Sequence, residues 1–338
     1  MEPRYHWGLG EPQSNRHRAV LIILTNLISI GFLVWTLRDA ELVHLKSDFA
    51  ALNWWWVGLA IVAELCVYLW QAVRWNLILL PVVSVPFRQS VRAIYAGLFA
   101  SEVLPFRAGE VLRCYLVSRW TGLPFSVSAA SALIERIFDG IWLWIGLALT
   151  LKYIKLPKQY GYVNDGLGVF VLIGAILLAF ALSQRTQHVP LPDKGWRRRL
   201  AVLRNDLARM GHSWYLLVAL LQSVPYLLLQ AVPIWALFQA YEFGLGLGPA
   251  FALMVLLRVA STVPQAPASL GLFQYVTKEV LERAFGVGPA EAARFSLVLW
   301  GVIKLPALAA GFAAMAITGF KMDELKKAAE EEVASREQ

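Results

Sequence analysis

Charged residues at regular spacing interrupt an otherwise apolar part of the chain between residues 101 and 113. Arg107, Glu110 and Arg113 are three residues apart, so a helix would place them along one side. Arginine binds phosphate and carboxylate through paired N–H donors. Pro105 would break a helix here, and Gly109 would let the backbone approach a ligand closely. A helix beginning near Gly109 would also direct its free N–H groups and positive dipole end at an anion.

A second charged group lies in the next long apolar run. Glu135 and Asp139 are i,i+4 neighbours, and Arg136 comes three residues before Asp139. An ionisable residue near the centre of a bilayer costs about 2.5–3.5 kcal/mol, so these side chains must face inward, pair with one another or be hydrated. Two interpretations stay open: a binding site for a charged head group, or a salt-bridge network that holds segment 101–113 in place.

Three further charges stand alone within apolar segments. Glu64 lies in the second apolar run, Arg258 in a later interrupted segment and Lys304 in the last run. Glu64 and Lys304 could pair with each other. Arg258 and Lys304 could instead face a cavity that receives a head group.

The composition is that of a membrane protein. The 338 residues are 58% hydrophobic and only 16% charged, against roughly 25% charged in a soluble domain. The net charge of +8 comes from basic residues beside apolar runs, which argues against nucleic-acid binding. The free cysteines Cys66 and Cys114 are interpreted as packing residues, and neither they nor the five histidines show metal-ligand spacing. We therefore expect no metal and no cofactor.

Apolar runs of sufficient length predict an all-α polytopic protein with about six membrane-crossing helices. Charged tails at 1–18 and 321–338 would flank a single transmembrane domain, 19–320, which carries a basic surface helix at 185–210. The excess of Lys and Arg places both tails in the cytoplasm. The predicted spans are 19–37, 54–73, 126–151, 167–183, 213–240 (bent by Pro225 and Pro233) and 290–319.

Two interrupted segments, 88–122 and 249–286, are too broken to cross a bilayer and predict re-entrant hairpins. Pro-x-x-x-Gly occurs in both, at Pro105–Gly109 and at Pro267–Gly271. Each segment stands between two long spans, and the predicted topology opens the hairpins to opposite sides. Units of about 53–151 and 213–319 would then form an inverted repeat, the usual architecture of secondary transporters.

These residues resemble a known family. The run Glu102-x-Leu-Pro-x-Arg-x-Gly-Glu-x-x-Arg113, followed by Glu135-Arg136-x-x-Asp139, is similar to the signature of the flippase-like membrane domain of lysylphosphatidylglycerol synthases, which also occurs in standalone and hopanoid-associated proteins. The segment that includes Pro267, Gly271 and Gln274 is similar to a later family motif. It departs from that motif at Ala268–Ser269, where Gly–Gly is usual, and at Gln274, which replaces an acidic residue.

The resemblance implies a transporter rather than an enzyme, one that moves a lipid across the bacterial inner membrane. Its substrate would be an anionic or amino-acylated phospholipid, with hopanoid and polyprenyl lipids as further candidates and a homo-oligomer left open. Two alternatives remain: a membrane-embedded transferase that uses Glu135 and Asp139 in acid/base chemistry, and a non-transporting partner of a lipid-synthesis enzyme. The expected head-group site comprises Glu64, Arg107, Gly109, Glu110, Arg113, Glu135, Arg136, Asp139, Arg258, Pro267, Gly271, Gln274 and Lys304.

Overall fold

A computed structural model describes residues 27–103, 109–154, 159–183, 207, 210, 214–262 and 266–318. Within these ranges the regular elements are all helical, which confirms the predicted all-α fold. The tails, the basic segment 185–206 and Arg107 lie outside the described residues. The helices are α1 (Leu27–Arg38), α2 (Leu45–Ala51), α3 (Trp54–Leu79), α4 (Phe87–Val103), α5 (Gly109–Thr121), α6 (Phe125–Tyr153), α7 (Gln159–Ser183), α8 (Trp214–Leu229), α9 (Ala231–Ala240), α10 (Leu247–Ala260), α11 (Leu272–Phe285) and α12 (Pro289–Thr318).

Four stretches are long and apolar enough to cross a membrane: Trp54–Leu79, Gly161–Ser183, Trp214–Ala240 and Pro289–Thr318. Helix α6 has 29 residues and so is about 43 Å long at 1.5 Å per residue, but its charged residues remove it from that set. The described part of the first predicted span is the 12-residue α1. The multi-pass architecture is therefore confirmed.

The predicted end of the second span, at residue 73, is wrong. Helix α3 continues to Leu79, so Arg74 lies inside it and is fully buried. A charged residue after an apolar run usually marks the membrane surface, but Arg74 finds its counter-charges within the protein.

The fifth predicted span consists of two consecutive helices, α8 and α9, with Gln230 between them. Pro233 has no N–H to donate to the carbonyl of Leu229, four residues earlier, so the helix breaks at this point. Pro225 lies inside α8.

Two buried apolar clusters define the two halves of the molecule. The first contains the C-terminal part of α3, helices α4 and α5, and the N-terminal parts of α6 and α8. The second contains the N-terminal part of α3, the C-terminal part of α6, and helices α9, α10 and α11. Helix α12 begins in the second cluster and ends in the first. The hairpin α4–α5 thus lies wholly in one half, and the hairpin α10–α11 lies wholly in the other.

The long helices connect the two halves in alternating directions. Helix α3 runs from the second cluster to the first, α6 returns, and the α8–α9 pair runs opposite to α3. The antiparallel pairing is direct: the Asn53 N–H faces the Ala240 carbonyl at 3.4 Å, and Trp70 donates to the Gln222 carbonyl at 3.2 Å. The units α3–α6 and α8–α12 therefore share one order of long and short helices but run in opposite directions.

Close backbone contacts fix both hairpins. A Cβ on Gly97 would lie 2.6 Å from the Gly109 carbonyl oxygen, so α4 and α5 touch through glycines. A Cβ on Gly311 would lie 2.6 Å from the Tyr95 carbonyl oxygen, so α12 packs equally closely on α4. Gly271 has φ +90° and lies against the backbone of Ser29 in α1. Only glycine fits these three contacts without displacing backbone.

Candidate functional site

Arg74 is the centre of a buried ionic network. Its Nη2 donates to Glu135 Oε1 at 2.7 Å, and its Nη1 donates to Asp139 and, at 3.0 Å, to the hydroxyl of Ser223. Helix α3 supplies the arginine, α6 both carboxylates and α8 the serine. Both Arg74 and Glu135 are at most 1% exposed. Glu135 and Asp139 share one face of α6, as their spacing predicted, because residues four apart are neighbours on a helix.

Arg113 of α5 joins the same network from the first hairpin. Its Nη2 lies 2.7 Å from Glu135 Oε2, the carboxylate oxygen that Arg74 does not use. Its guanidinium stands 4.9 Å from the centre of the Trp75 ring, a cation–π contact. The Nε and Nη1 of Arg113 are buried and have no hydrogen-bond partner among the described residues. An anionic ligand would gain the most binding free energy at a buried guanidinium whose N–H donors have no acceptor.

Tyr226 connects this network to the second hairpin. The Arg74 guanidinium lies 4.3 Å from the centre of its ring. Arg258 of α10 lies 5.8 Å from the same centre and donates from Nη2 to the tyrosine oxygen at 3.3 Å. Pro225 precedes Tyr226 inside α8. Arginines from both units therefore meet at one aromatic ring.

Two further ion pairs hold the first hairpin to its neighbours. Glu110 of α5 accepts from Arg136 of α6, with 3.0 Å between Arg136 Nε and Glu110 Oε2, and both side chains are partly exposed. Glu102 of α4 pairs with Lys304 of α12. The pairing of Lys304 with Glu64 that the sequence left open is therefore not the one formed.

The second break has an unusual backbone. Ala268 and Ser269 both have φ 57°, the left-handed region that favours glycine, and they occupy the positions of the family's usual Gly–Gly. Trp300 of α12 donates to the Ala268 carbonyl at 2.8 Å. Pro267 begins this short turn, Pro267–Ser269, which packs against α4. The second break thus lies against the helix that precedes the first break in the sequence.

Gln274 and Gly271 act together at the start of α11. The Gln274 Oε1 accepts the Gly271 N–H at 2.7 Å, so the side chain caps the helix. Gln274 is fully buried, and its Nε2 has no hydrogen-bond partner in the described part of the chain. A carboxylate at this position could cap the helix equally well, because the cap needs only an acceptor oxygen.

Two further ion pairs anchor α11 to the residue that follows α1, and α12 to α2. Lys278 of α11 donates to Asp39 at 2.6 Å, and Arg294 of α12 pairs with Asp48. The hydrogen bond from Lys278 holds the pKa of Asp39 below its usual range, against the opposing effect of burial. The stabilisation from this contact is therefore fully present above the ordinary pKa of an aspartate and is lost as the pH falls through the lowered pKa of Asp39.

Of the predicted site residues, four meet in the network around Arg74 and Tyr226: Arg113, Glu135, Asp139 and Arg258. Gly271 and Gln274 lie at the start of α11, beside Ser29 of α1. Gly109 packs against α4, where its missing side chain serves helix contact rather than the predicted approach to a ligand. Arg136 pairs with Glu110 of α5. Arg74, the centre of the network, is not among the predicted site residues, because a charged residue after an apolar run predicts the end of a span. In the described ranges, no group of three His, Cys, Asp or Glu side chains is arranged to hold a metal ion.

Comparisons with known proteins give the same family that the motifs suggested. The sequence model of the lysylphosphatidylglycerol synthase TM region matches residues 22–311. A UPF0104 membrane protein of Methanothermobacter thermautotrophicus is 32% identical over 131 residues, which cover 38% of this chain and 37% of that protein. A UPF0104 membrane protein of Methanocaldococcus jannaschii is 23% identical over 189 residues, 55% of this chain and 80% of that protein.

The chain is thus aligned with little more than a third of the first relative. No solved structure matches it significantly. The family match covers nearly all of the described helices, including both hairpins and the residues of the ionic network. The chain belongs to the family of the lysylphosphatidylglycerol synthase transmembrane region.

Proposed function

We propose that this membrane protein is a lipid translocator that moves an anionic or amino-acylated phospholipid across the cytoplasmic membrane. The observation that carries the proposal is Arg113, a buried arginine with two donor nitrogens that no described residue accepts from. A lipid phosphate would satisfy these donors. The acyl chains would remain in the bilayer while the head group passes between the hairpins.

The position of the network supports a path for a polar head group. Arg113 comes from the first hairpin, and Arg258 reaches the same region from the second through Tyr226. A phosphate leaving Arg113 would therefore meet another arginine on the side of the second hairpin. Arginine suits this role because its planar fork binds phosphate through two parallel hydrogen bonds.

The opposite directions of the two units support alternating access. Each hairpin lies in one half of the molecule, so each could open toward its own side of the membrane while the other stays closed. The Glu110–Arg136 pair between α5 and α6 is partly exposed, and its opening would admit a head group toward Arg113.

The arrangement favours transport over group transfer. A transferase would need Glu135 or Asp139 free to take a proton from its substrate. Both carboxylates are instead bound to Arg74, and Glu135 also pairs with Arg113. The orientation that places the basic connections and both termini in the cytoplasm follows from the positive-inside rule and forms part of the proposal.

Reconstitution in liposomes tests the proposal. We expect Arg113→Ala to lower the translocation of fluorescently labelled phosphatidylglycerol at least tenfold, because one charge-assisted hydrogen bond is worth about 1.5–3 kcal/mol. Arg113→Lys should retain part of the activity, since the charge remains but the planar fork is lost. The measurement is the fraction of label reached by an impermeant quencher over time.

Arg283→Ala is the matched control. Arg283 is 66% exposed and pairs only with Glu279 along α11, so its loss should leave translocation unchanged. Melting temperatures of all three variants would separate a lost site from a lost fold. Equal translocation by Arg113→Ala and the wild-type protein would refute the site. If no lipid moves, but the protein co-purifies with a lipid-synthesis enzyme, the non-transporting partner is favoured instead.

A further inference from the structure

Glu64 differs from the other buried carboxylates of the described helices. It lies in the middle of α3, between the two apolar clusters, and is 5% exposed. Glu135 has two arginine partners and Asp139 has one, whereas Glu64 forms no ion pair with any described residue. The side chain of Tyr68 hydrogen-bonds to Glu64, but a carboxylate without a cationic partner at this depth is still costlier when ionised than when protonated.

The cationic side chains near Glu64 are bound to other residues. Lys304 and Arg258 lie within electrostatic range of its carboxylate, but Lys304 is bound to Glu102 and Arg258 to Tyr226. The acidic groups of α6 are held by Arg74, and α9 carries no charged residue. The titratable and charged groups within electrostatic range of Glu64 are Tyr68 on α3, Tyr95 on α4, Arg258 on α10 and Lys304 on α12. Tyr226 on α8 and Glu102 on α4 are within range of Tyr68.

Among the described residues, the charges in this region cancel when no ligand is bound. Arg74 and Arg113 balance Glu135 and Asp139, and Lys304 balances Glu102. Arg258 then balances Glu64 at a distance. An anionic head group that enters would leave one uncompensated negative charge, which costs several kcal/mol in a medium of low dielectric constant. Protonation of Glu64 removes this excess and breaks no described ion pair.

We propose that the anionic head group binds together with one proton, which Glu64 takes up from water, so that lipid movement is coupled to proton movement. The inference rests on the proposed translocator function and names the proton as the ion to which lipid transport is coupled. Once Glu64 is neutral, Arg258 is free of its counter-charge and attracts the phosphate. Because the site is neutral with neither ligand or with both, but not with one alone, proton and lipid cross together in the same direction.

Isothermal titration calorimetry of the full chain with short-chain phosphatidylglycerol tests this coupling. Repeating the titration in buffers of different ionisation enthalpy counts the protons taken up for each lipid bound. We expect about one proton at alkaline pH, with Kd rising about tenfold for each pH unit. In Glu64→Gln, which imitates the protonated side chain, we expect no proton uptake and a Kd that does not change with pH.

Two further variants make the result specific. Glu279→Gln alters a carboxylate on α11 that pairs only with Arg283, so it should keep the wild-type proton count. Glu64→Asp keeps the ionisable group and should therefore also keep the wild-type proton count. Zwitterionic phosphatidylcholine adds no net charge, so it should bind, if at all, without proton uptake.

The outcomes separate the coupling from the function. If the wild-type protein translocates phosphatidylglycerol but takes up no proton on binding it, the coupling is wrong and the translocator stands. Equal pH dependence in Glu64→Gln and the wild-type protein also overturns the coupling. If phosphatidylglycerol is neither bound nor moved at any pH, the proposed function fails, and the coupling fails with it.

Discussion

Arg74 shows how a single residue can hold several membrane helices together. It is fully buried in α3 and donates to three acceptors on α6 and α8, while its guanidinium stacks on Tyr226. Removing one charged partner from a buried ionic network lowers the stability far more than removing a cation and an anion together. Removal of one partner leaves an uncompensated charge in a medium of low dielectric constant. The network is thus a structural element as well as the candidate site.

We therefore expect Arg74→Met to lower the free energy of unfolding by about 3–5 kcal/mol, since Arg113 alone would face both Glu135 and Asp139. Arg74→Met combined with Asp139→Asn leaves only the neutral Arg113–Glu135 pair and should regain much of that stability. The melting temperature of the purified protein, followed by tryptophan fluorescence, gives both values. A double variant less stable than the single one would contradict this charge-balance explanation.

At the scale of the helix, the first hairpin depends on glycine at the contact between α4 and α5. Gly97 and Gly109 face each other, and any side chain on either would meet the backbone of the other helix. Small residues that let helix backbones approach are a common feature of packing within membranes. This contact places Glu110 and Arg113, one and four residues beyond Gly109, against α6.

Gly109→Ala should separate the two helices and destabilise the protein by about 1–3 kcal/mol, as expected for overpacking of a tight contact. Translocation should fall with it, because Arg113 would move away from Glu135. Gly248→Ala is the matched control: Gly248 lies in the first turn of α10 with nothing within 4 Å of the added methyl group. Its replacement should be neutral or stabilise by up to about 1 kcal/mol. Equal melting temperatures for the two variants would exclude the packing role.

At the scale of the whole molecule, the two units lie side by side in opposite directions. The connection between α5 and α6 lies at the end of the first cluster, and that between α11 and α12 at the end of the second. The connecting segments rich in Lys and Arg join helices at the first of these two ends. The orientation proposed above from the positive-inside rule places this end in the cytoplasm.

Single cysteines at these two connections test the topology. In a background with Cys66→Ala and Cys114→Ala, we expect an impermeant maleimide to label Phe125→Cys from the cytoplasmic side and Gly288→Cys from the opposite side. Both positions are exposed in the structure. Labelling of both from one side would show that at least one hairpin crosses the membrane instead of re-entering it.

Much of the fold could be predicted because its signals are local. Apolar runs of about 20 residues predict spans, and Pro105, Gly109, Pro267 and Gly271 mark the breaks through backbone restrictions that act within a few residues. The spacing of Glu135 and Asp139 was enough to place them on one helix face. The departure from Gly–Gly at residues 268–269 predicted no geometry, and the structure shows both residues in the left-handed region.

The sequence by itself therefore determined that the chain is a helical membrane protein with two broken segments and a set of intramembrane charges. Only the tertiary structure decided which charges meet. Arg74 finds carboxylates 61 and 65 residues away, and Lys304 pairs with Glu102 across 202 residues rather than with Glu64. An ion pair depends on which helices pack together and in what register, and hydropathy carries no information on either. The same packing leaves Glu64 buried among cations bound elsewhere, which no spacing in the sequence could reveal.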